Sequence, residues 1–242
     1  MLFRSQQDPL HPERTYIAIY AIKTSQEPLS IRTGPDINSL SGAYPTLPES
    51  QKRGLADLAC GIGGFTEGGS MTGWDTVIAV DAGQQAAKVY NTLHGQAGRC
   101  LTADLFQAST LHQVATAAPK VLAMGFPCQP WSLSGAQGGF ADDRSRMLVA
   151  LLAYAVVIQP IALVLENVAA FASTANGYYL DQLQQALGGL TVPFVALGET
   201  VDLQETRPIK RPRWLALCPR QQDWVQLSPQ AQHTVKIGRA HV

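Results

Sequence analysis

Cys128 stands in the stretch GFPCQPWSLSG (residues 125–135), between a proline and a glutamine and close to a tryptophan and serines. A structural cysteine takes apolar neighbours, whereas these suit a loop that presents a sulfur. The thiolate is cysteine's nucleophile, and a free thiol titrates near ~8.5, so helix dipoles or nearby cations must favour the reactive form. Glu166 ends the apolar run IALVLENV. A carboxyl at a buried strand end is suited to donate a proton or a hydrogen bond near neutral pH. RPIKRPRW brings Arg211 and Arg213, ready for phosphates or for orienting a base, and GFADDRSRM adds Arg144 and Arg146 on a loop after the thiol. The plain alternatives are a solvated basic edge and a core carboxyl bound to backbone.

A second group suits an adenosine-type cofactor. GLADLAC reads as a strand, GIGG as a turn and Phe65 onward as a helix. Glycines allow a tight turn and close backbone approach, and the helix N-terminus favours negative charge. Asp81 closes the next strand about twenty residues on, where a carboxylate can hold ribose hydroxyls. Asp104 ends the third strand and suits the exocyclic amine of an adenine. A dinucleotide dehydrogenase would need glycine at position 66, where the chain has Thr66.

The elements that must position these groups alternate. Strands are predicted over GLADLAC, DTVIAVD, RCLTADL, KVLAMGFP, IALVLENV, FVALGETVDL and RWLALCP, with helices at Phe65–Thr72, QQAAKVYNTLHG, LHQVATAA, RSRMLVALLAYAVVIQP and YYLDQLQQALGGL. Strands that are apolar throughout and alternate with helices imply a parallel sheet covered on both faces, so the predicted fold is α/β and doubly wound, with ligands at the carboxyl ends of the strands. Residues 1–53 read as an irregular extension with a short strand at Thr15–Ile22. The chain has 242 residues, 46% hydrophobic and 15% charged, with zero formal net charge. Polyanion binding therefore needs a local patch. The four cysteines form no CxxC pair, which argues against a zinc site or a disulfide framework, so no metal is expected. The N-terminus has no apolar signal core and the longest apolar run is too short to span a bilayer, so an intracellular protein is expected, nuclear in a eukaryote and cytoplasmic in a bacterium.

A thiolate, a carboxylic acid and a guanidinium around such a cofactor resemble the cytosine-5 DNA methyltransferase family. DLACGIGGF is similar to its cofactor motif, GFPCQPWSLSG to its nucleophile loop, ENV to its acid motif and KRPRW to its arginine motif, in that order, from Gly54 to Pro219. The resemblance implies a Rossmann-like methyltransferase fold, S-adenosylmethionine as methyl donor and cytosine C5 in DNA as acceptor. It implies that Cys128 attacks C6, that Glu166 holds N3 and the amine of the base, that Arg213 positions the base and that Asn167 braces the loop. Asp57, Gly61, Gly63, Phe65, Asp81, Asp104 and Leu105 would form the cofactor site with Pro127, which also aims the sulfur. Gln129, Ser132, Arg144 and Arg211 would meet the substrate. The target base would be flipped from the duplex. One branch of the family methylates tRNA, and the PCQPWS loop leans to DNA. A cofactor-binding remnant without activity is a further alternative.

The chain departs from the family pattern in three places. Ala59 replaces an aromatic that stacks on adenine, a loss of about 0.5–1.5 kcal/mol. Ile209 follows Pro208 where a glutamine is usual. The sequence also ends soon after the arginine motif, so a target-recognition domain is expected to be missing. The closing KIGRAHV resembles a translated sequencing adapter. Residues 54–219 are accordingly expected to be the catalytic domain, 220–235 the start of a lost C-terminal region, and 236–242 an artefact.

Overall fold

The computed structural model describes residues 2–7, 15–20, 53–95, 100–127, 146–202 and 210–226. A seven-stranded sheet organises them. Its strands are β3 (Gly54–Leu58), β4 (Asp75–Asp81), β5 (Cys100–Thr102), β6 (Val121–Gly125), β7 (Ala162–Val168), β8 (Leu197–Asp202) and β9 (Pro212–Pro219), in spatial order β5–β4–β3–β6–β7–β9–β8. The five strands from β5 to β7 are parallel, whereas β9 runs antiparallel to both β7 and β8. The α/β, mostly parallel arrangement is the one the alternating pattern predicts. Before it, β1 (Leu2–Gln7) and β2 (Thr15–Tyr20) form a separate antiparallel hairpin. This corrects the reading of that region as irregular apart from one strand: LFRSQQ is too polar to announce a strand and pairs only because TYIAIY lies opposite.

Among the described residues, seven α-helices accompany the sheet: α1 (Gly64–Met71), α2 (Gln84–His94), α3 (Ala108–Thr116), α4 (Arg146–Ile158), α5 (Ala170–Ser173), α6 (Tyr178–Gly188) and α7 (Gln221–Gln226). Side chains alternate across the sheet with period two. Ala56, Leu58, Leu122, Met124, Leu163, Leu165, Trp214 and Ala216 face the main core, against α3, α4 and α6. α4 is apolar nearly all round, and Leu148, Leu151, Leu152 and Tyr154 are fully enclosed, as such a helix requires. Leu55, Val121, Ala123 and Ala162 face the other way, towards Phe65 on α1 and Trp74. By the same alternation Asp57, Gly125 and Glu166 belong to the α1 face, and their strands deliver them to one rim. Among the described residues no helix is long and apolar enough to cross a membrane, and no cluster of His, Cys, Asp and Glu is placed to hold a metal.

Candidate active site

The glycine turn leaves β3 in left-handed backbone: φ is 54° at Ala59, 55° at Gly61 and 91° at Gly63. Gly63 is confined as well as strained. A Cβ there would lie 2.4 Å from His94 Nε2, because the α2 histidine packs flat against the turn. His94 Nε2 donates to the Ile62 carbonyl at 3.0 Å; a carbonyl only accepts, so this nitrogen carries the proton. A Cβ at Gly61 would meet nothing within 4 Å, so the turn opens on that side to a ligand's close approach.

Asp81 joins the turn to the next strand. Its Oδ2 accepts the Gly61 N–H at 2.9 Å and its Oδ1 the Gly83 N–H at 2.7 Å. A carboxylate offers about four lone-pair sites, so capacity remains for hydroxyl donors. Asp104 lies just past β5, its Oδ1 accepting the Phe106 N–H at 2.9 Å. That local turn ends the strand at Thr102, earlier than the predicted RCLTADL. The open glycine turn and two half-buried carboxylates on adjacent strands fit an adenosine carrying free hydroxyls and an amine. No ring stands at Ala59 to stack on it. Leu105 is 3% exposed and belongs to the main core, and its carbonyl accepts the Tyr154 hydroxyl at 3.0 Å. Asp57 is fully buried, with Oδ2 accepting both the Thr66 N–H (3.0 Å) and the Thr66 hydroxyl (2.9 Å). Neither of these two side chains lies open at the rim, unlike the carboxylates of Asp81 and Asp104.

The acid and the arginine meet. Glu166 faces Leu215 across the β7–β9 ladder and Arg213 faces Val168, so the two are diagonal neighbours on one face. Arg213 Nε lies 2.9 Å from Glu166 Oε1, and the Arg213 Nη1 donates to the Pro212 carbonyl at 2.9 Å. The Glu166 side chain is 32% exposed, where a buried carboxyl was expected. Gly125 makes room for it, since a Cβ there would lie 3.1 Å from Glu166 Oε2 and 4.0 Å from the Phe65 ring. Arg211 is exposed and anchored by its backbone N–H to Asp202 Oδ1 at 2.9 Å.

The chain enters the thiol loop from a fixed point. Asn167 is 1% exposed; its Nδ2 donates to the Phe126 carbonyl at 3.1 Å and its Oδ1 accepts the Val168 N–H at 2.8 Å. The Phe126 ring packs edge-on against Phe171 at 5.2 Å, and Phe171 against Trp214 at 4.9 Å. Pro127 follows directly, half-buried. Cys128, Gln129, Ser132 and Arg144 lie outside the described residues.

The scaffold behind the turn was not read from the sequence. Thr66 registered only as the residue that breaks a dehydrogenase fingerprint, yet it is buried and bonded to Asp57, Tyr90 and Thr76. The one available signal was Tyr90 and His94, four apart on α2 and so on one face. Behind them the Cys60 and Cys100 thiols lie 3.4 Å apart, and burial pushes both up.

Residues 54–196 match the family model described as C-5 cytosine-specific DNA methylase. The chain belongs to that family. The type II methyltransferase M.HgiBI of Herpetosiphon aurantiacus is 33% identical over 125 residues, which are 52% of this chain and 28% of the relative. M.HhaI of Haemophilus parahaemolyticus is 29% identical over 176 residues, 72% of this chain and 52% of that protein. Among solved structures, the S. pombe Dnmt2 methyltransferase superposes with a TM-score of 0.53 at 18% identity, covering 77% of this chain and 55% of its own. The Entamoeba histolytica methyltransferase EhMeth gives 0.55 at 17% identity, covering 69% and 52%. These superpositions show the fold, and this methylase-family chain spans about half or less of the relatives' length.

Proposed function

We propose that the chain is the catalytic part of a DNA cytosine-5 methyltransferase, and that it transfers a methyl group from S-adenosylmethionine to C5 of a flipped-out cytosine. The observation that carries the reading is the Glu166–Arg213 pair, held 2.9 Å apart on the strand beside the entry to the PCQ loop. S-adenosylmethionine would supply an electrophilic methyl on a sulfonium. Asp81 would hold ribose hydroxyls, Asp104 the adenine amine, and Gly61 and Gly63 the close backbone approach.

Cys128 forms a bond from sulfur to C6 of the cytosine, which makes C5 the nucleophile. Glu166 bonds to N3 and the exocyclic amine and supplies the hydrogen bond or proton that lets the ring accept the thiolate. Arg213 holds that carboxyl in place from the adjacent strand, and Asn167 fixes the point from which the thiol loop departs. Once C5 has bonded the methyl, its proton passes to a water or other base, and the C6–S bond breaks with its electron pair returning to Cys128 as thiolate, which restores the aromatic ring. Unpairing and unstacking the base costs a few kcal/mol. Gln129, Ser132, Arg144 and Arg211 would meet the DNA.

Incubation with S-adenosylmethionine and duplex DNA containing 5-fluorocytosine tests the reading. Fluorine cannot leave C5 as a proton does, so a covalent protein–DNA adduct is expected from the native chain and none from Cys128→Ser. A cofactor-binding protein that forms no adduct overturns the nucleophile assignment. Adduct with tRNA in place of DNA would move the substrate class to RNA.

A further inference from the structure

The N-cap of helix α1 is Gly63, a residue without a side chain, so no side-chain hydrogen bond caps the helix from that position. The turn needs glycine there, so it cannot also supply the serine, threonine or aspartate that usually bonds the first free N–H groups. The cap comes instead from the neighbouring strand. Asp57 Oδ2 accepts the Thr66 N–H in the first turn of α1, where the helix end also favours negative charge. The hydrogen bonds behind it run one way. The Thr66 hydroxyl has a single proton and gives it to Asp57. It therefore accepts from Tyr90 Oη at 2.9 Å and from Thr76 Oγ1 at 3.2 Å. Tyr90 on α2 and Thr76 on β4 thus reach one carboxylate oxygen only through the Thr66 hydroxyl, while Asp57 Oδ1 is buried with no hydrogen-bond partner.

We propose that Asp57 is a positioning residue for the cofactor site, a remote cap whose ionised carboxylate holds α1, and with it the glycine turn and Phe65, in the conformation that receives the cofactor. It acts through Thr66 and does not touch the ligand. The proposal rests on the reading of this turn as the cofactor site. Burial pushes the Asp57 carboxyl up to about 7, with the Thr66 bonds opposing. The charged or titratable groups around it are His94 and Tyr90 on α2, Asp81 at the end of β4, Cys60 in the turn and Cys100 on β5. His94 favours the charged form and Asp81 disfavours it. The carboxylate is the majority form above about 7, and the cap weakens as the pH falls through that value.

Two measurements on the full chain test this. The affinity for S-adenosylhomocysteine, by calorimetric titration, is compared at pH 6 and pH 8. A carboxyl titrating near 7 is ionised about ten times more often at the higher pH, so affinity should rise by up to about tenfold. Asp57→Asn should bind weakly with that slope removed, and His94→Gln should keep the slope. A slope that survives in Asp57→Asn, or that vanishes in His94→Gln, overturns the proposal. The second measurement needs no ligand. The Thr66 amide proton resonance of the wild-type chain should move with a midpoint near 7 as its acceptor gains a proton. A Thr66 resonance that stays still refutes the cap even if the cofactor binds, and one that titrates while no cofactor binds at any pH refutes the cofactor reading alone.

Discussion

Gly63→Ala tests the turn most sharply, because two separable costs fall on one atom. The residue sits at φ 91°, where an L side chain is strained by about 1–2 kcal/mol. Its new Cβ would also lie 2.4 Å from His94 Nε2, 2.5 Å from His94 Cδ2 and 3.0 Å from Tyr90 Cδ2, so the imidazole must leave. With it goes the bond to the Ile62 carbonyl, a net loss of about 0.5–1.5 kcal/mol. The sum is about 1.5–3.5 kcal/mol, measured by urea unfolding at constant m-value. On a His94→Ala background the imidazole clash and its bond are already gone, and the same substitution should cost the strain, about 1–2 kcal/mol, and whatever the remaining Tyr90 contact adds. The difference between the two backgrounds isolates the histidine. Equal costs in both would show that His94 does not confine the turn, and a cost below about 0.5 kcal/mol in the native background would refute the strain argument too.

Asp57→Asn should gain stability relative to wild type as the pH rises. The folded carboxyl is raised from 3.8 to about 7, so ionising it in its buried site costs the fold more stability than the Thr66 bonds return: its contribution to stability is greatest below the lower value and is lost on passing the upper, even as the cap itself tightens. That shift corresponds to about 4 kcal/mol between pH 4 and pH 8, read as the change in the wild-type–variant difference by denaturant unfolding at both. The Glu166→Gln/Arg213→Met cycle should give a stability coupling of only about 0.2–1 kcal/mol, since the two side chains are 32% and 22% exposed, while methyl transfer by either single variant collapses. Asn167→Ala removes the bond from its Nδ2 to the Phe126 carbonyl and should cost about 0.5–1.5 kcal/mol in urea unfolding, with adduct formation reduced further than stability explains.

How far the sequence speaks depends on whether the determinant is local. DTVIAVD matches β4 residue for residue, because a β-branched run between polar ends specifies a buried strand without help. α4 and the Gly54 start of β3 were legible for similar reasons. The Leu2–Gln7 strand was not, since its partner, not its composition, makes it extended. Nor was the reversal of β9, because strand direction is set by the return path of the chain. At the site, Asp81, Asp104 and Glu166 were legible as strand-end carboxylates and Asp57 only through the family resemblance, but the environments of all four were not. Asp57 closes inward on Thr66, Asp81 is spoken for by two backbone amides and Glu166 leans outward to Arg213. Those differences arise from side chains distant in sequence, and no single-strand pattern carries them.

Gly125 and Glu166 are register partners on adjacent parallel strands, and the Asn167 amide ties the exit of one strand to the next residue of the other. The departure point of the thiol loop and the acid therefore share one frame of reference. When the sheet twists or breathes, both shift together, and their separation changes far less than the position of either. Such cancellation of common motion suits a reaction in which sulfur and carboxyl must reach opposite parts of one small ring at the same moment.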